Sequence, residues 1–225
     1  MLTARTLPIE ICARHECMAD DQAAALAALG AATLGESGGN PMAPRIRPAW
    51  DGARISGPAF PVVCAPADNL GVHVAVAEAP PGSVLVVSVG DEPARGYWGE
   101  VLTTGAEARG IIGLVIDGGV RDVDALAAHG FPAFSSMIAL RGASKALPGA
   151  VGGYATVGGI HVERDDWIVG DVDGVVVIPH ARIDEVRAAG EARAAKELGF
   201  FMELKAGRTT VDLLSLDTTP IERRS

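Results

Sequence analysis

Two short, unbroken apolar runs, GSVLVVSVG (82–90) and IIGLVID (111–117), limit what this chain can fold into more than any other feature. Runs of this length, rich in β-branched residues and without polar alternation, read as strands buried on both faces. Between them, YWGEVLTTGAEARG places Val101, Leu102 and Ala108 at helical spacing. Strand, helix, strand with short links is a βαβ unit. The two strands are therefore expected to be parallel, joined by a right-handed crossover, with their carboxyl ends opening on the same side. DVDALAAHG and FPAFSS continue the pattern as a helix and a further strand.

On either side of this unit the reading is less uniform. Asp20-Asp21 followed by QAAALAALGAATL predicts an N-capped, alanine-rich helix closing near Gly35. ARISGPAFPVVCA is β-rich in its second half, and DNLGVHVAVAEA fits either a capped helix or an alternating strand. From Ala150 onward, GGYATVGGIHVERDDWIVGDVDGVVVIP holds three β-like runs broken by acidic and glycine turns, which predicts antiparallel pairing. A final helix is expected from Ala181 to about Ala206, with Ile183, Val186, Ala189, Arg193, Lys196 and Phe200 marking its faces. No linker, repeat or composition break interrupts the 225 residues, so one α/β domain is expected.

Composition removes several function classes. The net charge of −9 and pI near 5.0 repel phosphate backbones and anionic membrane surfaces, so neither nucleic acid nor membrane is an expected partner. An anionic substrate would need a local cation to overcome that field. Cys12, Cys17 and Cys64 form no CxxC pair, which argues against a disulfide framework or zinc site and for a reducing compartment. The N-terminus lacks the apolar core of a signal peptide, and the longest stretch without Asp, Glu, Lys or Arg, Ala146–Val162, is interrupted by glycines. A cytoplasmic chain is the expectation.

In parallel α/β arrangements, ligands sit beyond the carboxyl ends of strands. Two loops reach that place: GDEPARGYWGE after the first run and GGVRD after the second. Glu100 starts one following helix and Asp122 the next, with Arg121 just before it. Two carboxylates and a guanidinium can converge there beside the free amides of Val101 and Leu102, with Gly118 and Gly119 admitting a ligand to the backbone. Each residue also has an ordinary role: Asp122 as an N-cap, Glu100 as a first-turn acid, Arg121 as a surface charge or a partner of Asp117. Cys64 with His73 reads as a buried, inert thiol rather than a nucleophile and base. His161 reads as a strand residue, His129 as a helix C-terminal charge, Asp68-Asn69 as a helix cap or support for the site wall, and ERDDWIVGDVDG as turns rather than a calcium loop. No phosphate-binding glycine loop occurs.

PGSVLVVSVG, GYWGEVLTTGAEARGIIGLVIDGGVRDVDALAAHGFPAFS and VGGIHVERDDWIVGDVDGVVVIP together resemble the 4-hydroxy-4-methyl-2-oxoglutarate/4-carboxy-4-hydroxy-2-oxoadipate aldolase family, which includes proteins similar to the regulator of ribonuclease E activity. The resemblance runs from about Ala31 to the GRTTVDLLSL tail and leaves residues 1–19 as a variable extension of a domain spanning 1–225. The family signature is an Asp, twenty residues, then Arg-Asp; here it stands as Glu100, twenty residues, Arg121-Asp122, with Glu in place of the first Asp. The resemblance implies a layered β/β/α fold of the swivelling phosphohistidine-domain type and trimers or dimers of trimers with sites at subunit contacts. It implies a Mg²⁺- or Mn²⁺-dependent aldolase releasing pyruvate from a 2-oxo acid, with oxaloacetate decarboxylation as a companion activity. In this scheme Asp122 anchors the metal and Glu100 acts on it through water. Arg121 stabilises the enolate, and Val101, Leu102 and Gly99 bind the substrate carboxylate. Glu197 is the candidate acid from a neighbouring subunit. Two alternatives stay open: a noncatalytic regulator of an RNA-processing enzyme, and an enolate-forming lyase for another 2-oxo acid.

Overall fold

The structure, a computed structural model, describes residues 9–224, with side chains from residue 21 onward. In chain order the elements are α1 (Ile9–Glu36), β1 (Asn40–Pro41), β2 (Arg47–Pro48), β3 (Ile55–Val63), α2 (Leu70–Glu78), β4 (Val84–Ser88), β5 (Gly96–Trp98), α3 (Glu100–Ala108), β6 (Gly113–Val120) and α4 (Val123–His129). They continue as β7 (Ala133–Ile138), β8 (Ala150–Val151), β9 (Tyr154–Val157), β10 (Ile160–Glu163), β11 (Trp167–Asp171), β12 (Gly174–Ile178), a 3₁₀ turn (His180–Arg182), α5 (Ile183–Lys205) and α6 (Thr210–Leu213).

The expected βαβ unit is present: β4 pairs parallel with β6, β6 with β7, and β3 with β4. One sheet runs β1-β12-β11-β3-β4-β6-β7-β2, changing to antiparallel pairing at β3–β11 and continuing so through β12. It curls on itself, because Arg47 of β2 at one end donates to the Val172 and Asp173 carbonyls in the β11–β12 turn.

Period-two alternation assigns each strand to two layers. Leu85 and Val87 point to the helix side, where they pack with Val72, Leu102, Ala106 and Leu126; Val84 and Val86 point inward, against Phe134, Ile168 and Val177. Along β11 and β12, Ile168, Val175 and Val177 face that inner core, while Trp167, Val169, Val176 and Ile178 face α1 and α5. Two β layers thus share a core, with α2, α3 and α4 outside one and α1 and α5 outside the other. The expected layered α/β class is found, with the expected β/β/α layers joined by a further helical layer, α1 and α5, outside the second β layer. Truncating a fully buried residue such as Leu85 to Ala would cost about 2–5 kcal/mol.

Several boundaries differ from the sequence reading. Asp20-Asp21 does not cap α1; the helix starts at Ile9 and breaks instead at Gly30, whose backbone is left-handed (φ 78°). The helix restarts because Asp171 Oδ2 accepts from Ala31 N at 2.8 Å, a cap supplied from the far end of β11. DNLGVHVAVAEA is helical, as α2. From Ala150 onward there are five strands rather than three: the two-residue β8, paired with β3, and the antiparallel pairs β9–β10 and β11–β12. Gly96–Trp98, read as loop, is a strand paired with β6, and β6 itself runs on through Gly118 and Gly119. Side chains of Cys12 and Cys17 lie outside the described residues.

Candidate functional site

Beyond the carboxyl ends of β5 and β6 lies a cleft of about 180 Å³ whose lining includes Asn69, His73, Gly99, Val101, Leu102, Arg121, Asp122, Gly142 and Lys145. Arg121 and Asp122 are there because β6 ends at Val120, and because Arg121 N donates to Trp98 O at 3.0 Å, which ties the end of β6 to β5. Trp98 is itself fixed by stacking on Phe131 (5.6 Å between ring centroids) and by its indole N–H donating to Thr103 Oγ1 at 2.7 Å.

Asp122 occupies the N-cap position of α4, but its side chain makes no capping hydrogen bond to that helix. Its backbone is left-handed (φ 56°, ψ 39°), a conformation Asp tolerates better than most residues, and Oδ2 accepts instead from Glu100 N, the first amide of α3, at 3.1 Å. The Arg121 guanidinium stands 3.7 Å from the same oxygen. Gly99 makes this approach possible, since a Cβ there would lie 2.4 Å from Asp122 Oδ2 and 3.1 Å from Arg121 Cγ. Gly96 does the same for Arg121, whose Cδ would be 3.0 Å from an added Cβ. Gly118 and Gly119, read as making room for a ligand, make room for protein: added Cβ atoms would strike Val89 and the Arg95 carbonyl. In the first turn of α3, the amides of Val101 and Leu102 have no intrahelical acceptor.

Glu100 begins α3 as expected, but its carboxylate leans toward His129 Nε2 at 3.8 Å rather than lining the cleft. His129 ends α4, as read, and its Nδ1 is 2.8 Å from Glu107. Asp117 pairs with Arg45, Nη2 to Oδ2 at 2.5 Å, so Arg121 is not its partner. Glu197 lies on α5 bonded to Arg193 at 2.9 Å and does not line the cleft of its own chain. Burial pushes the Cys64 thiol up to about 11, consistent with an inert core cysteine. His161 faces out of β10 against Tyr154.

The wall opposite α3 is built on Asp68-Asn69, read in the sequence as a helix cap or support for the site wall, and on the loop carrying Lys145, which the sequence reading did not single out. Asp68 is 1% exposed; Oδ1 accepts from Leu70 N, while Oδ2 accepts from Ser144 Oγ, Ala146 N and Leu147 N at 2.6–3.1 Å. Burial pushes this carboxyl up, but the hydrogen bonds from Ala146, Leu70, Ser144 and Leu147 outweigh it and hold the pKa at about 2. Asp68 thereby clamps the loop that carries Lys145 into the cleft. Burial, and then Lys145, lower the pKa of His73, so its imidazole stays neutral at pH 7.

The Arg121–Asp122 pair thus stands beside a helix N-terminus at the carboxyl edge of a parallel sheet, where α/β folds place ligand sites and where free helix amides favour anions. The chain belongs to the RraA-like family (Aldolase/RraA), whose model matches residues 15–177. Over 152 residues, covering 68% of this chain and 72% of the relative, it is 34% identical to a Halalkalibacterium halodurans protein whose name proposes 4-hydroxy-4-methyl-2-oxoglutarate aldolase activity. Among solved structures, a protein from Pseudomonas syringae pv. tomato superposes with a TM-score of 0.73 at 28% identity, covering 85% of this chain and 95% of that one. The RNA-processing inhibitor RraA from Thermus thermophilis shares the fold, with a TM-score of 0.58 at 24% identity over 63% of this chain and 86% of its own. Among the described residues, no helix is long and apolar enough to cross a membrane.

Proposed function

We propose that this chain is a divalent-metal-dependent lyase that releases pyruvate from 4-hydroxy-2-oxo acids of the 4-hydroxy-4-methyl-2-oxoglutarate or 4-carboxy-4-hydroxy-2-oxoadipate type, and that it also decarboxylates oxaloacetate. The observation that carries the reading is the Asp122 side chain, which leaves its own helix uncapped and turns to the α3 N-terminus beside Arg121.

The donor set fits Mg²⁺ or Mn²⁺. Among the described residues, no group of three or more His, Cys, Asp and Glu side chains is placed to hold a metal. Mg²⁺ does not require such a group, since it is commonly held by one or two carboxylates with water and ligand oxygens completing its shell. Asp122 would hold the ion, and Glu100, the first residue of α3, would act on it through water once its carboxylate turns from His129. When bound, the ion supplies a Lewis acid for the 2-oxo group.

The chain's own residues do the rest. The amides of Val101 and Leu102, with Gly99 beside them, receive the substrate carboxylate at the positive end of α3. Arg121 donates to the 2-oxo oxygen and stabilises the negative charge that develops there as the C3–C4 bond breaks; the C4 hydroxyl gives its proton to water as it becomes the carbonyl of the second product, and water returns a proton to C3 of the enolate to give pyruvate. Decarboxylation delivers electrons to the same oxygen, so one arrangement serves both reactions. Val101 lines the cleft yet is exposed, leaving room there for a second copy; a homotrimer or dimer of trimers would bring Glu197 of that copy near it.

The test is metal affinity and pyruvate release in Asp122→Ala. Joint loss of both is expected. Retained metal affinity would return Asp122 to a backbone role, and absence of both metal binding and turnover in the unaltered chain would favour a noncatalytic regulator.

A further inference from the structure

With the anion-binding groups assigned, two uncharged polar atoms at the cleft remain unused. Asn69 is 4% exposed; its Nδ2 donates to Tyr97 O at 2.8 Å, but its Oδ1 is buried without a partner. His73 Nε2 is also buried and unpartnered. Asn69 is the N-cap of α2 and His73 follows four residues later, so the two share a helix face, and both line the cleft. Buried polar atoms are ordinarily paired, and two orphans one helical turn apart on residues that line the same cleft point to a partner supplied from the cleft.

Elimination identifies that partner. Arg121, Lys145 and the first-turn amides of α3 suit the negative oxygens of a ligand. Asn69 Oδ1 can only accept, so it repels a carboxylate. A hydroxyl satisfies both atoms, giving its hydrogen to Oδ1 and accepting one from Nε2–H of the neutral imidazole. We infer that Asn69 and His73 form a hydroxyl-recognition subsite that reads the hydroxyl on the carbon leaving the pyruvate fragment. This rests on the reading of the cleft as a 2-oxo acid site and makes the pair determinants of specificity between 4-hydroxy-2-oxo acids and substrates without that hydroxyl.

The test compares kcat/KM for 4-hydroxy-4-methyl-2-oxoglutarate with that for oxaloacetate, which lacks the hydroxyl, in the full chain with Mn²⁺ supplied. Expressing the result as a ratio cancels differences in folded fraction. In His73→Phe and Asn69→Ala the ratio is expected to fall at least tenfold, with His73→Gln recovering part of it. A ratio unchanged in both variants of an active chain overturns the subsite alone, as does wild-type turnover of oxaloacetate with none of the hydroxylated substrate. Silence of the wild-type chain on both substrates overturns the reading of the cleft, and the subsite with it.

Discussion

Asp68 and Asp122 each stand beside a helix N-terminus on the border of one cleft, yet the protein uses them in opposite ways. Asp68 is 1% exposed and accepts four hydrogen bonds from residues on two segments, so its charge is fully satisfied. Asp122 has a side chain 42% exposed, accepts one backbone amide and faces a guanidinium at 3.7 Å, which leaves lone pairs for a ligand. The first carboxylate holds the wall; the second is available for chemistry. An aspartate's place next to a helix therefore says little until its remaining hydrogen-bonding capacity is counted.

Variants can break that contrast. Asp122→Ala is expected to have the largest effect, lowering Mg²⁺ or Mn²⁺ affinity and turnover together by about a hundredfold or more, read by calorimetry and pyruvate release. Arg121→Ala is expected to lower turnover by about two orders of magnitude while metal affinity stays, because it acts on the developing charge. Unchanged turnover would remove Arg121 from the mechanism. In Gly99→Ala the new Cβ would meet Asp122 Oδ2 at 2.4 Å, so a folded variant with roughly tenfold lower activity is expected; full activity would show that the carboxylate's position does not matter.

Asp68→Asn sharpens the other half. The Asp68 pKa is depressed from 3.8 to about 2, so its stabilisation is fully present above pH 3.8 and is lost as pH falls through about 2. At neutral pH that difference is about 2 kcal/mol. Denaturant melts of Asp68→Asn should show a loss near that size, shrinking toward zero in strong acid; a pH-independent difference would contradict the clamp. Glu100→Asp is expected to be the mildest change, within about twofold in turnover, if Glu100 acts through water as proposed. Loss of activity would show that the longer arm coordinates directly.

What the sequence revealed follows the same division. The strands β4, β6 and β7 were legible because buried parallel strands leave unbroken apolar runs, and the position of Arg121 and Asp122 at a cleft edge was legible because such strands end there, whereas the turn of the Glu100 carboxylate toward His129 was not. β5 is three residues long, and β1, β2 and β8 are two each, too short for a periodic signal. DNLGVHVAVAEA stayed ambiguous because its apolar residues fit both periods until packing against β3 and α3 decides between them. Lys145 was invisible because its place depends on Asp68, 76 residues before Ser144, and no local pattern encodes that clamp. Gly118 and Gly119 misled because glycine signals close approach without saying what approaches; here it is the Arg95 backbone and Val89.

The most direct measurement is pyruvate release by chelator-treated protein, with and without Mg²⁺ or Mn²⁺, from 4-carboxy-4-hydroxy-2-oxoadipate, 4-hydroxy-4-methyl-2-oxoglutarate and oxaloacetate. Arg121→Ala and a metal-only blank run alongside, since free metal ions decarboxylate oxaloacetate. Release that requires the metal and is abolished in Arg121→Ala is the predicted result. Release that is indifferent to metal, or equal in Arg121→Ala, would contradict the account.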